Sequence, residues 1–161
     1  MTIQKAIEHF SDHQRTSVRK TTQEGYKKLL ERLEREFPDR QIEDIKGEEL
    51  CRFLDTYTEG LSKFTRRLRY VQLMALFNFA IDTFQMNIKN PCSVSQLFKS
   101  FKSAQQRPRK ILDKETVDEI IFKSTSARDQ LILELQARCG LRIGEVLKLR
   151  VSDISGRKLM I

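Results

Sequence analysis

The sequence predicts a mainly α-helical protein in three parts: a bundle of four to five helices over residues 1–98, a basic linker over 99–110, and a shorter helical segment over 111–161. Apolar residues recur at helical spacing almost from the first position, the signature of amphipathic helices. The composition then shifts at 99–110, where Lys99, Lys102, Arg107, Arg109 and Lys110 stand among Ser, Gln and a proline without an acid. Such a stretch reads as an extended linker. Beyond it, three short helices and a strand over about 50 residues cannot easily close a core, so the last segment reads as the truncated start of a domain.

Taken in order, Ile3, Ala6, Ile7 and Phe10 form the apolar stripe of a first helix, and Tyr26, Leu29, Leu30, Leu33 and Phe37 that of a second. Thr21 followed by Glu24 has the spacing of a capping box for the second helix, and Pro38-Asp39 ends it. A third helix over 47–57 buries Leu50, Phe53, Leu54 and Tyr57, and Glu59-Gly60-Leu61-Ser62 turns the chain into a fourth over 63–84. The first half of that helix is two-sided. Phe64, Leu68, Val71 and Ala75 make one stripe, expected to face inward, while Lys63, Arg66, Arg67 and Tyr70 lie opposite. From Leu73 the helix is apolar nearly all round, which implies burial. Asn90-Pro91 closes the bundle, and a short apolar turn surrounds Val94, Leu97 and Phe98.

In the last segment Asp113 is placed to cap a helix holding Val117, Ile120 and Ile121, and Ser126 with Asp129 to cap another built on Leu131, Ile132, Leu133 and Leu135. Gly140 stops that helix. A short helix over 143–148 follows, and 157–161 reads as a strand without a partner.

The 161 residues carry a net charge of +8, which favours a polyanionic partner because lysine and arginine displace counterions condensed on phosphate. No run reaches the roughly 20 apolar residues of a membrane span, and no secretory h-region opens the chain, so a cytoplasmic protein without a membrane partner is expected. Cys51, Cys92 and Cys139 are far apart and odd in number, giving neither a disulfide framework nor a metal site; buried free thiols are expected.

Positive charge is concentrated in two places. Lys63, Arg66, Arg67 and Arg69 have no acid among them and stand beside the hydroxyls of Thr65 and Tyr70, a set suited to phosphates and base edges of DNA. The linker cations Lys102, Arg107, Arg109 and Lys110 suit a phosphate backbone equally well. Each cluster also has a plainer reading, a solvated helix face for the first and a solubilising spacer for the second. Arg142 falls at the mouth of a helix, where amide groups and a guanidinium can converge on an anion, with Glu145 one turn on to orient it or cap the helix.

Segment 140–154 resembles the G-L-R-x-x-E-x-x-x-L-x-x-x-D-I box of the tyrosine recombinases, the phage-integrase type of enzyme. Upstream, Thr22-x-x-x-Tyr26, Leu61-Ser62 before Thr65-Arg66-Arg67, Leu76-Phe77-Asn78-Phe79-Ala80 and Asn90-Pro91 are similar to that family's core-binding domain, as is the run from Leu112-Asp113 through Arg128-Asp129-Gln130-Leu131-Ile132-Leu133. The resemblance spans essentially the whole chain. It implies a SAM-like core-binding bundle of four or five helices, a linker, and the helical N-terminal part of an α+β catalytic domain, the two domains clamping double-stranded DNA.

It also implies an enzyme that, at full length and with other recombinase protomers, breaks and rejoins DNA through a 3'-phosphotyrosyl link, without nucleotide cofactor or essential metal. Arg142 matches the first of the family's catalytic arginines. The remaining positions do not transfer: Lys158 comes too early for the family's lysine, Tyr26, Tyr57 and Tyr70 lie in the bundle, and His9 and His13 lie near the N-terminus. The chain alone is therefore expected to bind DNA without cutting it. Two rival readings are a non-catalytic DNA-binding regulator and an all-helical protein-interaction module.

Overall fold

A computed structural model describes residues 1–102, 110–156 and 158–160. The chain divides into two compact units, Met1–Gln106 and Arg107–Ile161. Both are mainly helical, as the apolar spacing requires.

In the first unit α1 (Ile3–Ser17) buries Ile3, Ala6, Ile7 and Phe10, the stripe predicted for it. Helix α2 (Lys20–Glu36) turns Leu29, Leu30 and Leu33 inward. Its start differs from expectation: Arg19 is the cap residue, no side chain caps it, and Thr21 already lies within the first turn. The connection from α1 is short, and Gln23 Nε2 closes the end of α1 by donating to the carbonyls of Gln14 (3.1 Å) and Val18 (3.0 Å). Asp39, in the left-handed region at φ 55°, turns the chain away. Ile42 and Ile45 then bury themselves around a 3-10 turn.

Helix α3 (Gly47–Tyr57) has the predicted bounds. The Glu49 carboxylate accepts from the Lys46 amide at 2.9 Å to cap it. A Cβ on Gly47 would stand 2.8 Å from the Pro91 carbonyl oxygen, so α3 approaches the backbone of the 3-10 turn Pro91–Ser93 at a distance only glycine allows. Helix α4 (Lys63–Thr83) follows, then α5 (Ser95–Ser100).

Two expectations for this unit are corrected. The inward face of α4 is the reverse of the one predicted for its first half: Phe64, Leu68 and Val71 are 71%, 43% and 42% exposed, whereas Tyr70 is fully buried. The phase of the helix is set by its long apolar half. Leu73, Leu76, Phe77 and Ala80 are all buried, and continuing their stripe backwards brings Tyr70 and Arg66 to the bundle side. The bundle also runs beyond Phe98, where its boundary was expected: α5 continues through Ser100, and Phe101 is buried against Tyr70. Lys99 therefore belongs to a helix and not to the linker.

In the second unit Asp113 caps α6 (Lys114–Phe122), accepting from the Thr116 amide at 2.7 Å, and Ser126 caps α7 (Ala127–Cys139), accepting from Asp129. Gly140 ends α7 at φ 69°, a conformation that costs a glycine nothing. Arg138 ties the two helices together, pairing with Glu134 on its own helix and with Asp118 on α6 at 2.9 Å. Helix α8 (Ile143–Val146) is a single turn. The terminal strand does have a partner, contrary to expectation: β1 (Ile154–Ser155) pairs antiparallel with β2 (Lys158–Leu159), Ile154 opposite Leu159, and Gly156 at φ 59° follows β1.

Cys51 and Cys92 are buried free thiols, but Cys139, at the end of α7, is exposed. Among the described residues no helix is long and apolar enough to cross a membrane.

Candidate nucleic-acid interface

The cations of α4 hold very different positions. Ser62 opens the helix by accepting from the Thr65 amide at 3.2 Å, and its hydroxyl lies 2.9 Å from that of Thr65, so Thr65 is engaged locally. Lys63 is exposed. Arg66 points towards the bundle: Nη2 donates to Asp55 of α3 at 2.6 Å, Nε donates to the Thr58 hydroxyl at 3.2 Å, and the guanidinium lies 5.1 Å from the centre of the Phe101 ring. Asp55 is the acid missing from the local sequence. It lies eleven positions earlier, on another helix, so no helical spacing signals it.

Arg67 donates from Nη1 to the Phe101 carbonyl at 3.1 Å and lies 4.9 Å over the Tyr70 ring and 5.8 Å over Phe98. It is partly buried yet reaches the surface beside α5. Arg69 staples α4 to α2, donating from Nη1 to the Gly25 carbonyl at 2.6 Å and to Gln72 Oε1 at 2.8 Å. The Tyr70 hydroxyl donates to the Cys92 carbonyl at 3.0 Å, and its ring stacks on Phe101. Burial pushes the Tyr70 hydroxyl above the ordinary tyrosine range.

Of the residues expected to meet DNA on this helix, Arg66, Arg69 and Tyr70 are therefore committed to the fold. Lys63 and Arg67 remain at the surface. Lys102 and Lys110 are exposed; Arg107 and Arg109 lie outside the described residues.

The sequence reading missed the surface of α5 as a continuation of this region. Ser93, Ser95, Phe98 and Lys99 are all exposed there, and with Tyr70 and Met74 they line a groove of about 330 Å³. A signal was available: between Asp82 and Asp113 no acid occurs at all.

In the second unit Arg142 precedes α8 with its side chain 85% exposed. Glu145 serves both of the roles open to it. One carboxylate oxygen accepts from the Arg142 amide at 2.7 Å, and the other accepts from its guanidinium at 3.2 Å. The Arg142 amide, and then its guanidinium, hold the Glu145 carboxyl below the usual carboxylate range. The arginine is thus oriented from one side and open on the other.

No protein-family model matches the chain, and no curated protein matches it at a significant level. Solved structures do. A lambda integrase dimer bound to a COC' core site superposes with a TM-score of 0.74 at 22% identity, over 97% of this chain and 54% of that one. A lambda integrase tetramer bound to a Holliday junction gives 0.74 at 21% identity, over 99% and 46%. The Tn1549 transposon integrase in complex with circular intermediate DNA gives 0.72 at 24% identity, over 98% and 52%. The chain spans about half the length of these structures. Its structural neighbours are integrases of the tyrosine recombinase type, and over nearly all of its length its fold is theirs.

Proposed function

We propose that this chain is the DNA-binding portion of a site-specific tyrosine recombinase, its first unit the core-binding domain and its second the start of the catalytic domain. The observation that carries the reading is the coincidence of this fold, found in integrases solved on DNA, with a surface beside α4 and α5 that bears Lys63, Arg67, Lys99 and Lys102. Lysine and arginine at such a surface neutralise phosphates and release counterions. Lys63, Thr65, Arg67, Lys102 and Lys110 are the proposed contacts, with Arg107 and Arg109 beside them in sequence. Arg66, Arg69 and Tyr70 hold the helix that presents Lys63, Thr65 and Arg67.

Arg142 is proposed to neutralise charge on the scissile phosphate in the whole recombinase, where a tyrosine oxygen bonds to phosphorus as the 5' oxygen leaves. No tyrosine lies in the second unit. The hydroxyl of Tyr70 is taken by Cys92, and Tyr57 is stacked on Phe53. This chain by itself binds duplex DNA and does not cleave it, and other protomers join the whole recombinase as partners.

The test is fluorescence anisotropy of a labelled duplex titrated with the chain over a range of salt, followed by a denaturing gel for covalent protein–DNA adducts. Binding should weaken steeply with salt, Lys63→Ala should weaken it further at every salt, and no adduct should form. A chain that leaves the duplex free even at low salt would sink the DNA reading. An adduct would sink the claim that it does not cleave.

The outward stripe of Phe64, Leu68 and Val71 favours a second reading, a protein-interaction module. A partner bound through Phe64 together with no affinity for duplex would select it.

A further inference from the structure

We propose that the groove between α4 and α5, lined by Tyr70, Met74, Ser93, Ser95, Phe98 and Lys99, is a subsite for one sugar–phosphate unit of a DNA backbone. The proposal rests on the DNA-binding reading above and deepens it.

Charge and chemistry both single the groove out. Three other surface grooves each carry carboxylates: Asp55 and Glu59 line one, Glu36 a second, and Glu24, Glu31 and Glu34 a third. The groove beside α5 has none, and its one formal charge is the Lys99 ammonium. At its rim the Arg67 guanidinium is held by the Phe101 carbonyl and by the rings of Tyr70 and Phe98, so a second cation is fixed in place before any ligand arrives. Preorganisation of that kind lowers the entropic cost of binding.

The remaining walls match the two halves of a backbone unit. Ser93 and Ser95 are exposed and offer hydroxyl donors to phosphate oxygens, alongside Lys99. Phe98, 54% exposed, and Met74 offer the apolar surface on which a deoxyribose can lie. The groove is open, as a segment of a continuous strand requires. Its walls are also well fixed. Asn90 Nδ2 donates to the Met74 carbonyl at 3.1 Å, Asn90 Oδ1 accepts from the Cys92 amide at 2.7 Å, and Tyr70 holds the Cys92 carbonyl. The turn that presents Ser93, and from which the chain enters α5 at Ser95, is thereby tied to α4.

The experiment uses the full chain and a labelled duplex, with affinity measured against salt for Lys99→Ala, for the double variant Ser93→Ala/Ser95→Ala, and for Lys89→Ala, which removes an equal charge outside the groove. Lys99→Ala should weaken binding about fivefold and lower the magnitude of the salt slope by about 1, while Lys89→Ala does less. The serine pair, which leaves the charge unchanged, should weaken binding by a smaller factor. Ethylation interference should show one phosphate whose modification blocks the wild type but no longer matters to Lys99→Ala. Wild-type affinity and slope in both groove variants would overturn the subsite and leave the DNA reading standing, as would equal losses in Lys99→Ala and Lys89→Ala. Failure of the unaltered chain to bind duplex at low salt would remove both.

Discussion

Tyr70 ties α4 to the Pro91–Ser93 turn and to the end of α5. Its hydroxyl is bonded to the Cys92 carbonyl, its ring stacks on Phe101, and Arg67 lies over it. Removing the hydroxyl alone leaves a buried carbonyl without that donor, at a cost of about 1–2 kcal/mol. Tyr70→Phe should therefore lower the midpoint of urea unfolding while leaving duplex affinity nearly unchanged; a large loss of affinity at unchanged stability would return Tyr70 to the DNA surface. The contrast with Lys63 is instructive. Both were read from the sequence as members of one cationic, hydroxyl-bearing face, yet one is a core residue and the other is solvated. What separates them is contact with residues distant in the chain: Asp55, Cys92 and Phe101 supply the partners that turn Arg66, Tyr70 and Arg67 towards the bundle. Spacing along one helix carries no information about those partners.

At the scale of elements, several helix ends were legible, although the start of α2 was not. Asp113 and Ser126 cap where their side chains predicted, and the bounds of α3 agree at both ends. These are local devices, decided within four residues. Several depend on ionised carboxylates. Asp113 is held below the usual range by the Thr116 amide, Glu145 by the Arg142 amide, and Glu49 by the Lys46 amide and then by Arg40. A carboxyl whose pKa is lowered on folding contributes stability above its unfolded pKa, and that contribution disappears as pH falls through the folded value. Acidification below the ordinary carboxylate range should thus fray the starts of α3, α6 and α8, seen as earlier loss of amide protection there than in the middle of α4. Equal protection at all these sites on acidification would count against the caps. The phase of α4 was not legible, because its first half offered two candidate faces and only the packing of its second half selects between them.

At the scale of the whole molecule, the two units are unequally furnished. The first gathers a continuous core from α1 to Phe101. In the second only Ile121, Leu141 and Val146 are buried among the described apolar residues, while Ile111, Phe122 and Val151 are almost fully exposed. Burial on that scale leaves little to set against chain entropy. Residues 1–102 produced alone should unfold cooperatively on heating, followed by far-ultraviolet circular dichroism, whereas residues 111–161 produced alone should show a weak, non-cooperative signal. A sharp transition in the shorter fragment would mean that its three buried residues suffice. The mainly helical fold class was readable from periodicity because apolar spacing is repeated over many residues. The groove beside α5 was not, since it depends on a six-residue helix whose exposed side chains look like linker.

The three thiols have a practical corollary. Cys51 and Cys92 are enclosed, and burial raises both above the ordinary thiol range, so their reactive thiolates are scarce; Cys139 alone is presented at the surface. A maleimide dye added to the unaltered protein will attach at that one position, three residues before Arg142. The chain thus comes with a spectroscopic reporter site beside the arginine proposed to meet the phosphate, and a labelled duplex would let the distance between them be read by energy transfer without altering a single residue.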